Sequence, residues 1–211
     1  MKPFTDSPLP DWVLQGFAAF RQRFIEGEET SFAEAVRYGQ KPKAMVIACA
    51  DSRVDPALLF SARPGELFVV RNVAALVPPP EAGDGHHGVS AALEFGVTQL
   101  AVPQILVIGH SHCGGVRGFL SGTTLGQESY LARWLALLEP LAQRLGGTLP
   151  EDEDLVGRWA VELPLHRLAS FPFVAERLSQ KRLELFGLFF HLDPPYLECI
   201  EITPATDWAP P

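Results

Sequence analysis

Three short apolar runs constrain this chain more than any other feature: AMVIAC (44–49), LFVV (67–70) and QILVIG (104–109). Each is short, rich in β-branched residues and free of helical periodicity, so each reads as a strand buried on both faces. Helical patterns lie between them, among them GVSAALEFGVTQL at 88–100. Strands that alternate with helices predict an α/β fold, with a mainly parallel central sheet flanked by helices.

The length of 211 residues suits a single domain over 1–211, large enough to bury a sizeable core, with residues 1–28 as an N-terminal helical arm. In the arm, Trp12, Val13, Phe17, Phe20 and Phe24 recur at helical spacing over 11–27. That spacing predicts a helix with one strongly aromatic face, to be packed on its own domain or on a neighbouring subunit. Ser31 and Glu34 have the spacing of a capping box, and Gly39 supplies a stop. Helices are expected over about 127–145 and 153–168, the second interrupted by Pro164, with a helical turn or two after Pro172. LELFGLFFHL and YLECIEI, separated by DPP, predict a hairpin or two late C-terminal strands. VPPPEAGDGHH (77–87) is the longest loop signal, and loops of that composition tend to lie near functional mouths.

Composition removes several function classes. Hydrophobic residues make up 47% and charged residues 20%, the balance of an ordinary globular protein. The formal net charge is -8 and no run of Lys or Arg occurs, so no nucleic-acid partner is expected and anionic membranes are disfavoured. No apolar run approaches a membrane span, and MKPFTDSPLPDW lacks the apolar core of a signal peptide. Three cysteines are few, and odd in number, for a secreted disulfide scaffold. The expected location is cytoplasmic.

Two of those cysteines sit in short polar clusters, CADSR (49–53) and GHSHCGG (109–115). Cys49 ends one expected strand, and His110 and Cys113 follow just past another. In open α/β sheets, ligands bind outside the carboxyl ends of the strands. Gly114 and Gly115 allow a tight turn into a following helix, whose N-terminus would favour a Cys113 thiolate. Two thiolates and one imidazole suit zinc, and three ligands with an open fourth position form a catalytic pattern rather than a closed structural one. Water or Asp51 could take the fourth position. Zinc makes hydroxide available near neutral pH, though two thiolates already cancel the charge of Zn2+, so its water is less acidified than among neutral histidines. Asp51 is placed to accept a hydrogen bond from the hydroxide, and the Arg53 fork to pair with Asp51 and hold it off the metal.

Other readings of the same letters are weaker. A buried cysteine is often a small hydrophobe, and a single H-x-x-C recurs by chance. HCGGVRG (112–118) places only three residues between Cys113 and Arg117, too few for a phosphatase loop. Neither a P-loop nor a G-x-G-x-x-G fingerprint follows a strand. His112 is expected to be solvated or to stand behind the ligands, His86 and His87 to lie on a loop surface, and Cys199 to serve plain packing.

With these residues in hand, the chain resembles the β-class carbonic anhydrases, in their plant-like branch, over roughly 30–192. The likeness is carried by CADSR, PGELFVVRNVA (64–74), GHSHCGG and SFPFV (170–174), with YGQKPKAMVIAC pointing to the branch. It implies zinc, one per chain, on Cys49, His110 and Cys113, with Asp51 and Arg53 as the catalytic pair. It also implies a substrate pocket of Gln40, Phe68 and Phe95, the last where the branch usually has Tyr. The implied reaction is reversible hydration of CO2 to bicarbonate and a proton, by attack of zinc-bound hydroxide. CO2 is small, linear and apolar, which suits Phe68 and Phe95, and Gln40 could donate to a substrate oxygen. The resemblance further implies a homodimer or higher even oligomer with pockets at the subunit interface. Gln99 stands where the branch often has a histidine suggested as proton shuttle, leaving His87 or buffer for that task. Pro164 and Asp193-Pro194-Pro195 also depart from the family pattern, away from the site. Two alternatives stay open: hydrolysis of CS2 or COS by the same hydroxide, and an idle zinc protein acting as a scaffold. The Asp51–Arg53 pair speaks against the second, since a scaffold does not need it.

Overall fold

The three apolar runs are strands in the computed structural model, which describes residues 9–26, 30–80, 87–122, 129–144, 146–147 and 149–201. They are β1 (Ala44–Cys49), β2 (Leu67–Asn72) and β3 (Gln104–His110), joined later by β4 (Glu184–Leu192) and β5 (Pro195–Ile200). The sheet order is β2-β1-β3-β4-β5. The first four strands are parallel, and β5 returns antiparallel on β4 as the expected hairpin. All six residues of β1 are buried, as an unbroken apolar run predicts for a central strand. From β1 the chain moves to one side to form β2 and to the other to form β3. That reversal opens a crevice beyond the carboxyl ends of β1 and β3.

The N-terminal helices are α1 (Asp11–Phe24) and α2 (Ser31–Tyr38); α3 (Pro56–Leu59), α4 (Gly88–Glu94) and α5 (Gly114–Leu120) follow. After them come α6 (Tyr130–Leu135), α7 (Glu139–Arg144), α8 (Glu153–Ser170) and α9 (Pro172–Ser179). One sheet face buries Met45, Ile47, Ile105 and Val107 with Leu93, Val161 and Leu165 from α4 and α8. The opposite face buries Val46, Ala48, Val54 and Ile108, while Leu106, Leu188, Phe190 and Leu192 stay partly open. Helix α8 lies very close to the sheet. A Cβ on Gly109 would stand 2.5 Å from Val161 Cγ2, so glycine at the end of β3 is what permits that approach.

Several expectations are corrected. Helix α8 runs unbroken through Pro164, which is buried with Ala160, Val161 and Leu168. Packing along the helix outweighs the one backbone bond a proline removes. The helix expected over 127–145 is instead α6 and α7, joined by a 3-10 turn at Ala136–Leu138 (127, 128 and 145 lie outside the described residues). Pro140 explains the break, since proline fits the first turn of a new helix better than the middle of an old one. The 88–100 pattern is α4 followed by a π-helical turn, Phe95–Gln99. Ser31 does not cap α2: Thr30 precedes the helix in αR backbone without a side-chain cap. Its hydroxyl donates to Glu34 at 3.1 Å, so no reciprocal box forms. Gly39 does end α2, with φ of 83°. Strand β3 includes His110 rather than stopping before it. Cys199 is exposed rather than packed, because β5 is an edge strand whose neighbouring residue Ile200 takes the buried side.

Candidate functional site

Cys49 is the last residue of β1, His110 the last of β3, and Cys113 caps α5. Three backbone ends therefore converge on one point. All three side chains are buried, and their ligating atoms lie within 4.8 Å of one another. The two sulfurs are 3.9 Å apart. Two sulfurs on one tetrahedral zinc, each at ~2.3 Å, would stand roughly 3.8 Å apart. His110 Nδ1 donates to the Ser111 carbonyl at 2.9 Å, which leaves the lone pair on Nε2. Nε2 is buried and meets no hydrogen-bond partner. An orphaned imidazole nitrogen aimed at two close thiols is the donor set a zinc ion would satisfy.

The thiols influence each other in opposite senses. The hydrogen bond with Cys113 pulls Cys49 well below the usual thiol range, against the opposing effect of burial. The same bond, with burial, pushes Cys113 up, although the Val116 and Gly115 amides favour its thiolate. A bound cation is what would let both thiols ionise together. For His110, burial works against the charge, but the neighbouring Cys49 outweighs it and the imidazole is raised.

Asp51 lies just past β1 with both carboxylate oxygens on Arg53. Arg53 Nε donates to Oδ1 at 2.9 Å and Nη2 to Oδ2 at 2.7 Å, and the Arg53 amide adds 2.9 Å to Oδ1. This two-pronged pairing holds the Asp51 carboxyl well below the ordinary carboxylate range. Arg53 Nη2 also donates to the His112 carbonyl at 3.1 Å, while the His112 amide donates to Asp154 at 3.0 Å. Held from both sides through its backbone, His112 adopts φ of 55° and its side chain is exposed, as the solvated reading expects.

The loop after β2 forms the floor. Ala74 and Ala75 have φ of 63° and 55°, and Asn72 brackets them, accepting from the Leu76 amide at 2.8 Å and donating to its carbonyl at 2.9 Å. Trp134 donates to the Val73 carbonyl at 2.8 Å. The first turn of α5 rests on this loop: a Cβ on Gly115 would meet Val73 Cγ1 at 2.8 Å. Val107, Val116, Ala160 and Val161 complete an apolar surround behind the ligands. Arg71, Asn72, Trp134 and Asp154 were not singled out from the sequence. The available signal was a charged and an amide residue at the end of an apolar strand, RN at 71–72.

The other expected residues stand elsewhere. Phe68 and Phe95 meet, with ring centroids 5.8 Å apart and Phe95 exposed. Phe68 pairs with Met45, four residues before the Asn72–Cys49 pairing, so it lies roughly 13 Å along the strand from its own chain's ligands. Gln40 is exposed after α2. Gln99 bonds Thr98 at 3.2 Å. His87 lines an open pocket with Tyr130, Arg133 and Trp134, and His86 lies outside the described residues.

A family model described as carbonic anhydrase matches residues 44–195. Beta carbonic anhydrase 3 of Arabidopsis thaliana is 35% identical over 186 residues, covering 84% of this chain and 71% of that protein. The structure of the β-carbonic anhydrase CcaA matches with a TM-score of 0.79 at 29% identity, covering 90% of this chain and 94% of that one. A tetrameric β-carbonic anhydrase of Sordaria macrospora gives 0.77 at 26% identity, over 90% and 95% of the two chains. The strand-end cluster, the fold around it and these likenesses agree: the chain belongs to the carbonic anhydrase family and is a carbonic anhydrase of the β class, whose members catalyse zinc-dependent hydration of CO2.

Proposed function

We propose that Cys49, His110 and Cys113 hold one zinc per chain, that Asp51 and Arg53 orient the attacking water, and that Gln40, Phe68 and Phe95 shape the CO2 pocket. The observation that carries this reading is the donor geometry, two sulfurs 3.9 Å apart facing an unpartnered buried imidazole nitrogen. When bound, zinc supplies the Lewis acidity that makes water a nucleophile near neutral pH. Asp51 stays ionised and offers acceptor oxygens at the mouth of the cluster, while Arg53 keeps that carboxylate from turning onto the ligands. The aromatic rings exclude water from an apolar substrate, and Gln40 donates to one of its oxygens. Bicarbonate leaves as an anion, and the proton is exported by His87 or by buffer.

Phe68 and Phe95 stand away from their own chain's ligands, which supports a pocket completed by a second copy. Other surfaces support a homodimer or higher even oligomer. Helix α1 buries none of its residues in the single chain, and Trp12 is 75% exposed. Phe20 stacks on Phe17, tilts against Phe24 and meets Phe32 edge-on, which ties the arm to α2 and leaves a broad aromatic face. The half-open sheet face at Leu106, Leu188, Phe190 and Leu192 is a second apolar surface that a partner's arm could cover. No helix of the described residues is long and apolar enough to cross a membrane. We take the chain as one domain with an arm, working in the cytoplasm.

Stopped-flow CO2 hydration on zinc-loaded protein tests the site assignment. Arg53→Ala should lose most activity, by ~100-fold or more, and keep its zinc. Near-wild-type activity in that variant would make the Asp51–Arg53 pair structural only.

A further inference from the structure

Arg71 leaves β2 beside Ala48, and its guanidinium reaches past the end of β1. Nε donates to the Cys49 carbonyl at 3.1 Å and Nη2 to the Asp51 carbonyl at 2.6 Å. Nη1 stands 3.4 Å from Asp55 Oδ2. Asp55 is itself anchored, because Oδ1 caps α3 by accepting from the Ala57 and Leu58 amides at 2.9 and 3.1 Å. Sheet, turn and helix cap thus meet on one planar fork, a geometry a lysine cannot reproduce.

Most other bonds of this turn do a different job, and the one that also leaves it, from Arg53 Nη2 to the His112 carbonyl at 3.1 Å, holds the Arg53 side chain rather than the backbone of the turn. Val54 donates to the Asp51 carbonyl at 3.0 Å and the Arg53 amide to Asp51 Oδ1 at 2.9 Å. Both lie within 51–54, so they fix the shape of the turn but not its direction against the sheet. The Ala50 amide donates to Asn72 at 2.8 Å and ties down the start. Arg71 ties down the carbonyls on either side of Ala50. We propose that Arg71 is a positioning residue for the Asp51–Arg53 pair: by clamping the Cys49 and Asp51 carbonyls it sets where the Asp51 carboxylate points. The inference rests on the role given to Asp51 above. Arg71 need not touch substrate, and it acts through the backbone that carries Asp51.

A double-variant cycle tests it. Arg71→Met keeps the unbranched stem of the side chain and removes the fork. Its kcat/KM for CO2 hydration should fall about 10- to 100-fold, the range for a group that orients a ligand or its partner from behind, with one zinc per chain retained. In an Asp51→Ala background the loss should vanish, so that the double variant matches Asp51→Ala within about twofold. A second readout uses metal-free protein: amide exchange at Arg53 and Val54 should quicken by about tenfold or more in Arg71→Met, with Val46 and Ile47 unchanged. A loss that adds in full to Asp51→Ala, wild-type activity in Arg71→Met, or equal quickening in β1 and the turn would overturn the proposal. If Arg71→Met does not fold, Arg71→Lys keeps the charge without the fork and carries the same cycle under the same criteria. Wild-type activity in Asp51→Ala sinks the parent reading and the proposal with it, whereas an unchanged exchange rate sinks the Arg71 role alone.

Discussion

Asp51 shows how a single pairing sets behaviour at the residue scale. The Arg53 fork lowers its folded pKa below the unfolded value, which is ~3.9. The stabilisation is therefore fully present above about pH 4–5 and is lost as pH falls toward the folded value. The pair is partly exposed, so solvent screens its contribution and keeps it small. Asp51→Asn should lower Tm by a constant few degrees from about pH 5 upward, and the gap should close below about pH 4. Calorimetry across that range reads it, and a gap that widens in acid would mean that Asp51 is not held by Arg53. Gly109 offers a second test. Alanine there would press on Val161, which overpacking data place at about 1–3 kcal/mol of lost stability. The urea midpoint of Gly109→Ala should fall accordingly, and an unmoved midpoint would mean that α8 stands further from β3. The Cys49–His110–Cys113 cluster and the Asp51–Arg53 pair were legible in the sequence because their residue types carry the chemistry. Arg71, Asn72 and Trp134 were not, because they act on backbone carbonyls and amides that no letter records.

At the scale of elements, the parallel strands were readable because runs buried on both faces need no partner pattern to identify them. Helices held by tertiary packing were harder. Pro164 looked like a break, yet α8 is buried along most of its length, from Val156 to Leu168, and the packing keeps it whole. Pro140 marks the boundary instead: it sits in the first turn of α7, where a proline removes no intrahelical bond. The edge position of β5, which leaves Cys199 exposed, follows from strand order rather than from the apolar letters around it. The arm makes its own prediction. Because α1 is unburied in the single chain, deletion of residues 1–28 should weaken self-association by ~10-fold or more while leaving the sheet folded. Sedimentation at low concentration decides it, since an unchanged assembly state would place the aromatic face outside any interface.

For the whole molecule, the half-open sheet face and the exposed arm support the proposed self-association, while the -8 net charge works against it. The sheet order places β1 and β3 side by side, and their carboxyl ends bring together Cys49 and His110, 61 residues apart in the sequence, as the strand-end rule anticipated. Everything proposed for catalysis depends on what those ligands hold. Zinc K-edge X-ray absorption on freshly purified protein is the most direct measurement. The account predicts one zinc per chain with two sulfurs at ~2.3 Å and one imidazole nitrogen at ~2.0–2.1 Å, and loss of the metal in Cys113→Ala. A zinc-free preparation, or a shell of nitrogen and oxygen without sulfur, would contradict it.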